Sequence, residues 1–247
     1  MRIKLFNSKT KASAAAALQA AKIISTAIKS RGQAAIVLAS GKSQLPFLKY
    51  LVSCAKTNPK IDWSKVTIFH LDEYLGLKPN HPVSMRHFLE QNFLTKINPA
   101  RIYPINGQAN NPRQECGRLN RLISNYAIDV AFLGIGLNGH LAFNDPPADF
   151  RTKLPYRVVD LDQTNRHQQV KEGWFSKLSY VPKQAISMTI PQILKSKQII
   201  CLAFGKKKAG IVRKSFAGGI SPLVPASILQ THKSAVIYLD KNSASSL

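Results

Sequence analysis

Carboxylates are scarce in this chain. Twelve Asp and Glu stand against 35 Lys and Arg, a formal charge of +23 over 247 residues. Such a field draws in anions, whether nucleic acid, acidic membrane or phosphorylated metabolites. The lysines are spread along the chain, with no arginine-rich tail and no basic run interleaved with aromatics. That pattern argues for a solvated basic surface and against a specific nucleic-acid site. Cysteine is rare too: Cys54, Cys116 and Cys201 have no paired spacing, so neither a disulfide framework nor zinc is indicated. No apolar run reaches the eighteen or so residues of a membrane span, and MRIKLF at the start has neither the apolar block nor the cleavage site of a secretory signal. A cytoplasmic location is the default expectation. No internal repeat and no Gly- or Ser-rich linker divides the chain, so 1–247 is expected as one large α/β domain.

With so few acids, those placed beside glycines and histidines carry more information than usual. The densest such stretch runs from Asp129 to Pro147, DVAFLGIGLNGHLAFNDPP. Val130 to Leu133 form a short apolar run ended by glycine, the pattern of an interior strand in a parallel sheet. Gly134, Gly136 and Gly139 let the chain turn and leave room for a ligand against the backbone. His140 follows, with Asn138 two residues before it and Asp145 five after. Ligands of open α/β sheets sit beyond the carboxyl ends of the strands, so this histidine is a candidate for proton transfer. The glycines also match a dinucleotide fingerprint, with Asp160 about twenty residues on. That fingerprint needs a long helix at its third glycine, which Pro146 and Pro147 forbid.

Other segments alternate between apolar runs and amphipathic stretches. Ile3 to Phe6 is predicted as an edge strand, and Lys9 to Lys29 as a helix with Ala17, Ala20, Ala21, Ile24 and Ile28 on one face, closed by Gly32. Ala34 to Ala39 reads as a buried strand running into Ser40-Gly41-Lys42-Ser43 and then a helix near Leu45. A polar loop at a helix N-terminus gathers backbone N–H groups, two hydroxyls and an ammonium on one spot. The full nucleotide-loop spacing is missing, so a phosphate monoester fits better than a triphosphate. Val66 to Leu71 is a third strand, ending in Asp72-Glu73; two carboxylates at a strand end are costly to bury without a partner or a purpose. Glu73 is open to the plainer role of capping the next turn, and Ser84 is expected to cap a helix from Met85 to Leu94. Residues 147–180 break the pattern and carry Arg151, Arg157 and Arg166, which suggests a mobile flap over the site. Strands at Ala185–Thr189, Gln198–Phe204 and Ala235–Leu239 then restore the alternation. The expected fold is a single doubly wound, mostly parallel sheet with helices on both faces, Rossmann-like in plan.

Five blocks carry a family resemblance: LASGKSQ (38–44), FHLDEYLGL (69–77), GIGLNGHLAFND (134–145), VPKQAISM (181–188) and GKKKA (205–209). In content and order they resemble the glucosamine-6-phosphate deaminases, of the wider family that includes the 6-phosphogluconolactonases. The resemblance implies that Asp72 moves a proton between C2 and C1 of the opened sugar. It implies that His140 assists ring opening, with Asn138 and Asp145 orienting the imidazole. Ser40, Gly41, Lys42 and Ser43 are implied to receive the phosphate, joined by Lys208 and Arg166, with Gly136 giving the ligand close approach. The implied reaction converts glucosamine 6-phosphate to fructose 6-phosphate and ammonia, with a small sugar phosphate as partner and no metal or organic cofactor; self-association is left open. The chain departs from the family pattern at Asp145, where glutamate is usual, at Asn138, often aspartate, and at Lys42, generally a small residue. The alternatives are a lactonase-type hydrolase and a non-catalytic sugar-phosphate-binding protein.

Overall fold

The computed structural model describes residues 1–56 and 60–247. Among these, ten strands are formed: β1 (Arg2–Phe6), β2 (Ala34–Leu38), β3 (Val66–His70), β4 (Asp72–Tyr74), β5 (Arg101–Tyr103), β6 (Val130–Gly134), β7 (Tyr156–Asp160), β8 (Gln184–Met188), β9 (Gln198–Ala203) and β10 (Ala235–Asp240). Seven α-helices accompany them: α1 (Lys9–Arg31), α2 (Leu45–Ser53), α3 (Met85–Asn92), α4 (Pro112–Ile123), α5 (Gln163–Lys171), α6 (Ile190–Leu194) and α7 (Ala209–Phe216). Seven strands make one sheet in the order β1-β10-β9-β6-β2-β3-β5, every adjacent pair parallel. No helix among the described residues is long and apolar enough to cross a membrane.

The central strands read as unbroken apolar runs because each feeds two cores. On β2, Ala35 and Val37 enter one cluster and Ala34, Ile36 and Leu38 the other. On β6, Ala131 and Leu133 face one side, Val130 and Phe132 the other. The period of two in the pleat thus appears as two buried faces rather than one buried and one wet. Helix α1 covers one face with small residues, Ala12, Ala16, Ala17, Ala20 and Ala21 all 1% exposed or less. Ser8 accepts from Lys11 N at its start, and the Gly32 N–H closes its end on the Ile28 carbonyl.

Two details differ from the sequence expectation. The strand expected over 185–189 exists as β8, but it lies outside the parallel sheet. It pairs antiparallel with β4 on one side and β7 on the other, Asp72 opposite Ser187 and Tyr156 opposite Met188, as a second three-stranded sheet. Residues 147–180, which read as irregular, contain β7 and α5. This small sheet and α5 enclose a third cluster of buried side chains, including Tyr74, Phe143, Leu161, Phe175 and Val181. Tyr74 packs on Phe143 and Phe175 with ring centroids 4.9 and 5.7 Å apart. Such ring pairs contribute about 0.5–1.5 kcal/mol each beyond their burial, enough to seat the segment against the body of the protein.

Successive strands β2, β3 and β5 progress toward one edge of the large sheet, whereas β6, β9, β10 progress toward the other. The reversal falls between the neighbours β2 and β6. Connections leave these two strands in opposite directions, which opens a crevice beyond their carboxyl ends.

Candidate active site

A cavity of about 370 Å³ occupies that crevice. Its floor is built by two loops of one design. After β2, Gly41 takes φ 110° and ψ 156° and leads into a single 3-10 turn, Lys42–Gln44, before α2. After β9, Gly205 takes φ 88° and ψ 153° and leads into the turn Lys206–Lys208 before α7. A positive φ of this kind is open to glycine and strained for other residues. The two loops flank β6 on either side, since β9, β6 and β2 are consecutive in the sheet. Ser40, Gly41, Lys42, Ser43 and Lys208 all line the cavity. The first loop, and Lys208 at the end of the second, therefore border one small volume at the starts of two helices, a cradle for an anion. Burial pushes the Lys208 ammonium down to about 8, opposed by the charge of Glu172 and by Cys201.

The same cavity holds the acid–base groups. Asp72 opens β4 and is 8% exposed. Its carboxylate accepts no hydrogen bond from the described residues, so its free lone pairs face the cavity it lines. Burial, and then the neighbouring charge of Glu73, raise it to about 7. Glu73 points the other way. It accepts from Tyr74 N, Ser84 Oγ, Met85 N and Arg86 N at 2.7–3.0 Å and so caps α3. Burial raises its pKa, and those four donors hold the rise in check. The adjacent carboxylates thus divide their work: Glu73 is spent on structure, Asp72 is left unsatisfied.

His140 is presented by a tight turn in which the Gly136 N–H donates to the His140 carbonyl at 3.0 Å. Its ring lies directly on Gly136; a Cβ there would overlap the imidazole carbon and both nitrogens. Gly136, expected to admit the ligand, thus serves as the seat of the imidazole as well as lining the cavity. The Nδ1 atom stands 3.0 Å from Asp145 Oδ1. Burial works to raise the Asp145 pKa, but His140, Asn138 and Asn165 together outweigh it and leave the carboxyl below its ordinary value. Asn138 accepts from the His140 backbone N–H at 3.1 Å and donates to Asp145 at 3.0 Å. Asn138 and Asp145 therefore stand behind the imidazole and do not line the cavity.

Arg166 is placed away from the expected phosphate position. Helix α5 turns Gln168, Gln169 and Glu172 to the cavity, which leaves residue 166 on a different flank. There Arg166 Nη2 donates to the carbonyls of Leu178 and Val181 at 2.9 and 3.1 Å, and it is absent from the cavity wall. Lys42 is bound to the same segment: its Nζ donates to the Glu172 carbonyl at 3.2 Å and lies 4.6 Å from the Trp174 ring centroid. Gln168, Gln169, Glu172 and Trp174, together with Met85 and Phe143, complete the walls. None of these is evident from the sequence. Amides in a polar helix and single apolar residues give no pattern that marks a site.

Known proteins resemble this chain over nearly its whole length. A glucosamine-6-phosphate deaminase of Clostridium novyi (strain NT) is 39% identical over 232 residues, 93% of this chain and 94% of that protein. One from Thermoanaerobacter sp. (strain X514) is 36% identical over 230 residues, 92% of this chain and 89% of that protein. Among solved structures, a monomeric glucosamine-6-phosphate deaminase superimposes with a TM-score of 0.91 at 32% identity, covering 100% of both chains. The profile of the glucosamine-6-phosphate isomerases/6-phosphogluconolactonase family matches residues 7–238, and the chain belongs to that family.

Proposed function

We propose that the chain is a glucosamine-6-phosphate deaminase that isomerises its substrate and releases ammonia to give fructose 6-phosphate. The carrying observation is Asp72: a carboxylate without a hydrogen-bond donor among the described residues, held at about 7, in one cavity with His140 and the two-loop cradle. The phosphate, carrying about −1.5 to −2 charge at neutral pH, sits on the cradle, held by backbone N–H groups, Ser40, Ser43, Lys42 and Lys208. That anchors C6 and lays the rest of the sugar toward Asp72 and His140. His140 relays the proton between the anomeric hydroxyl and the ring oxygen, opening the ring to the aldehyde, with Asp145 balancing the charge on the imidazole. Asp72 then removes the C2 proton and returns it to C1, so that a C–H bond breaks at C2 and another forms at C1. A group near neutrality can do both, because it is neither too weak to accept nor too weak to give. O1 gains a proton as the nitrogen gives one up, so the product is the C2 imine; water adds there, the C–N bond breaks and ammonia leaves. In this reading 1–247 works as one cytoplasmic α/β unit, with 147–180 covering the site.

Incubation with glucosamine 6-phosphate, with ammonia and fructose 6-phosphate assayed together, tests the proposal. Asp72→Asn is expected to abolish turnover, and with it solvent-deuterium incorporation at C1, while sugar-phosphate binding stays within about twofold, since the carboxylate acts on C–H protons. Deuterium incorporation that survives the substitution removes Asp72 from this role. Hydrolysis of 6-phosphogluconolactone without any deamination would instead assign the chain to the lactonase branch; that chemistry needs no base at a C–H bond and leaves the unsatisfied Asp72 without a task.

A further inference from the structure

Helix α5 makes a second set of contacts, on the side of His140 remote from the cavity. Its N-cap Asp162 accepts from Asn165 N at 2.7 Å. Asn165, 1% exposed, extends its amide inward and donates Nδ2 to both Asp145 oxygens, at 3.1 and 3.0 Å. The Asp162 N–H adds a bond to Asp145 Oδ2 at 3.2 Å, and Asn138 Nδ2 bridges Asp145 Oδ1 and Asp162 Oδ2 at 3.0 and 3.2 Å. One turn on, Gln169, which lines the cavity, donates Nε2 to Asn165 Oδ1 at 3.1 Å. A continuous run of contacts therefore leads from the cavity wall at Gln169, through Asn165 and Asp145, to the His140 ring and back into the cavity.

We infer that Asn165 is a positioning residue for the imidazole: its amide fixes the plane of the Asp145 carboxylate so that one oxygen stays aimed at His140 Nδ1. The torsion that sets a carboxylate plane is soft and broadly populated. Asn138 and the Asp162 N–H each hold one oxygen, Oδ1 and Oδ2; among the described side chains around Asp145, Asn165 alone spans both. The first turn of α5 is thereby part of the catalytic frame. The charged and titratable groups around Asp145 are His140 on its own loop, Asp162 on α5 and Tyr74 on β4, with Asp149, Arg157 and Asp160 in the groove outside.

The role in turnover rests on the deaminase reading, so the test has one arm independent of activity. In ligand-free protein, carboxyl-¹³C NMR follows the Asp145 titration in wild type, Asn165→Ser and Asn165→Asp. The midpoint is expected to rise in the serine variant, which loses the fork. It should rise further in the aspartate variant, which keeps the size of Asn165 and sets a like charge against Asp145. In turnover, kcat should fall by ~10–100-fold, the scale of a misplaced catalytic group, with KM for glucosamine 6-phosphate changed less than about twofold. An unmoved Asp145 midpoint in both variants, or a loss expressed in KM at unchanged kcat, makes Asn165 a packing residue and overturns the inference. Absence of turnover in the wild type would refute the deaminase reading alone, since the NMR arm still judges Asn165. If the serine variant fails to fold, the isosteric aspartate variant decides.

Discussion

Lys208 offers the most direct test of the anion cradle, because its charge is lost close to neutral pH. Burial lowers the ammonium to about 8. A lysine with a lowered pKa is charged below that value and neutral above it, so its hold on phosphate is complete below about 8 and fades as pH rises. Fructose 6-phosphate is the ligand to use. It has no amine, and a phosphate with a second pKa near 6 keeps a constant charge above pH 7. If binding requires the protonated lysine, Kd weakens about twofold at pH 8 and about tenfold at pH 9. The fall then levels off once the whole charge-assisted bond is gone, at about 1.5–3 kcal/mol, or ~10–150-fold. Calorimetric titration from pH 7 to 10 measures this directly. Lys208→Arg, which stays charged throughout, should flatten the curve. A wild-type Kd that does not change with pH, or an arginine variant that weakens in step with wild type, would show that Lys208 does not hold the phosphate.

Two further substitutions probe the acid–base end. Gly136→Ala sets a methyl group inside the His140 ring, so the imidazole must shift by about 1 Å; kcat is expected to fall ~100-fold with the fold retained, as read by kinetics beside a thermal melt. Glu73→Gln removes the negative charge that helps raise Asp72, so the acid limb of the kcat profile should move to lower pH. The same change weakens the cap on α3, and denaturant unfolding should register a loss of roughly 1–3 kcal/mol.

The large sheet and the two proton-transfer candidates are legible in the sequence for one physical reason. Strands β2, β3 and β6 are buried on both faces, so they show as mainly apolar runs, broken in β3 by Thr67 and His70 alone, and the polar residues just past such runs stand out. Asp72 and His140 emerge that way, as does the loop at Ser40. The second sheet escapes because β4 is only Asp-Glu-Tyr and β7 carries Arg157 and Asp160, so neither resembles a strand by composition. Helix α5 escapes for a related reason: Val170 is its one apolar side chain, and its buried residues Asn165 and Gln169 are amides that satisfy themselves by hydrogen bonding, which leaves no periodic signal. Arg166 is misplaced by the sequence because its charge is legible and its direction is not; the carbonyls that claim it come from residues 12 and 15 positions later in the chain.

The matched glycine loops after β2 and β9 carry a consequence for how this architecture diversifies. Under the proposed function, grip on the phosphorylated tail belongs to one pair of strand ends, and bond-making to another place, at β4 and the turn after β6. Retooling that place leaves the handle untouched. A lineage can then exchange one reaction on a six-carbon phosphate for another without relearning how to hold it, and a single family that spans isomerases and lactonases is the expected outcome.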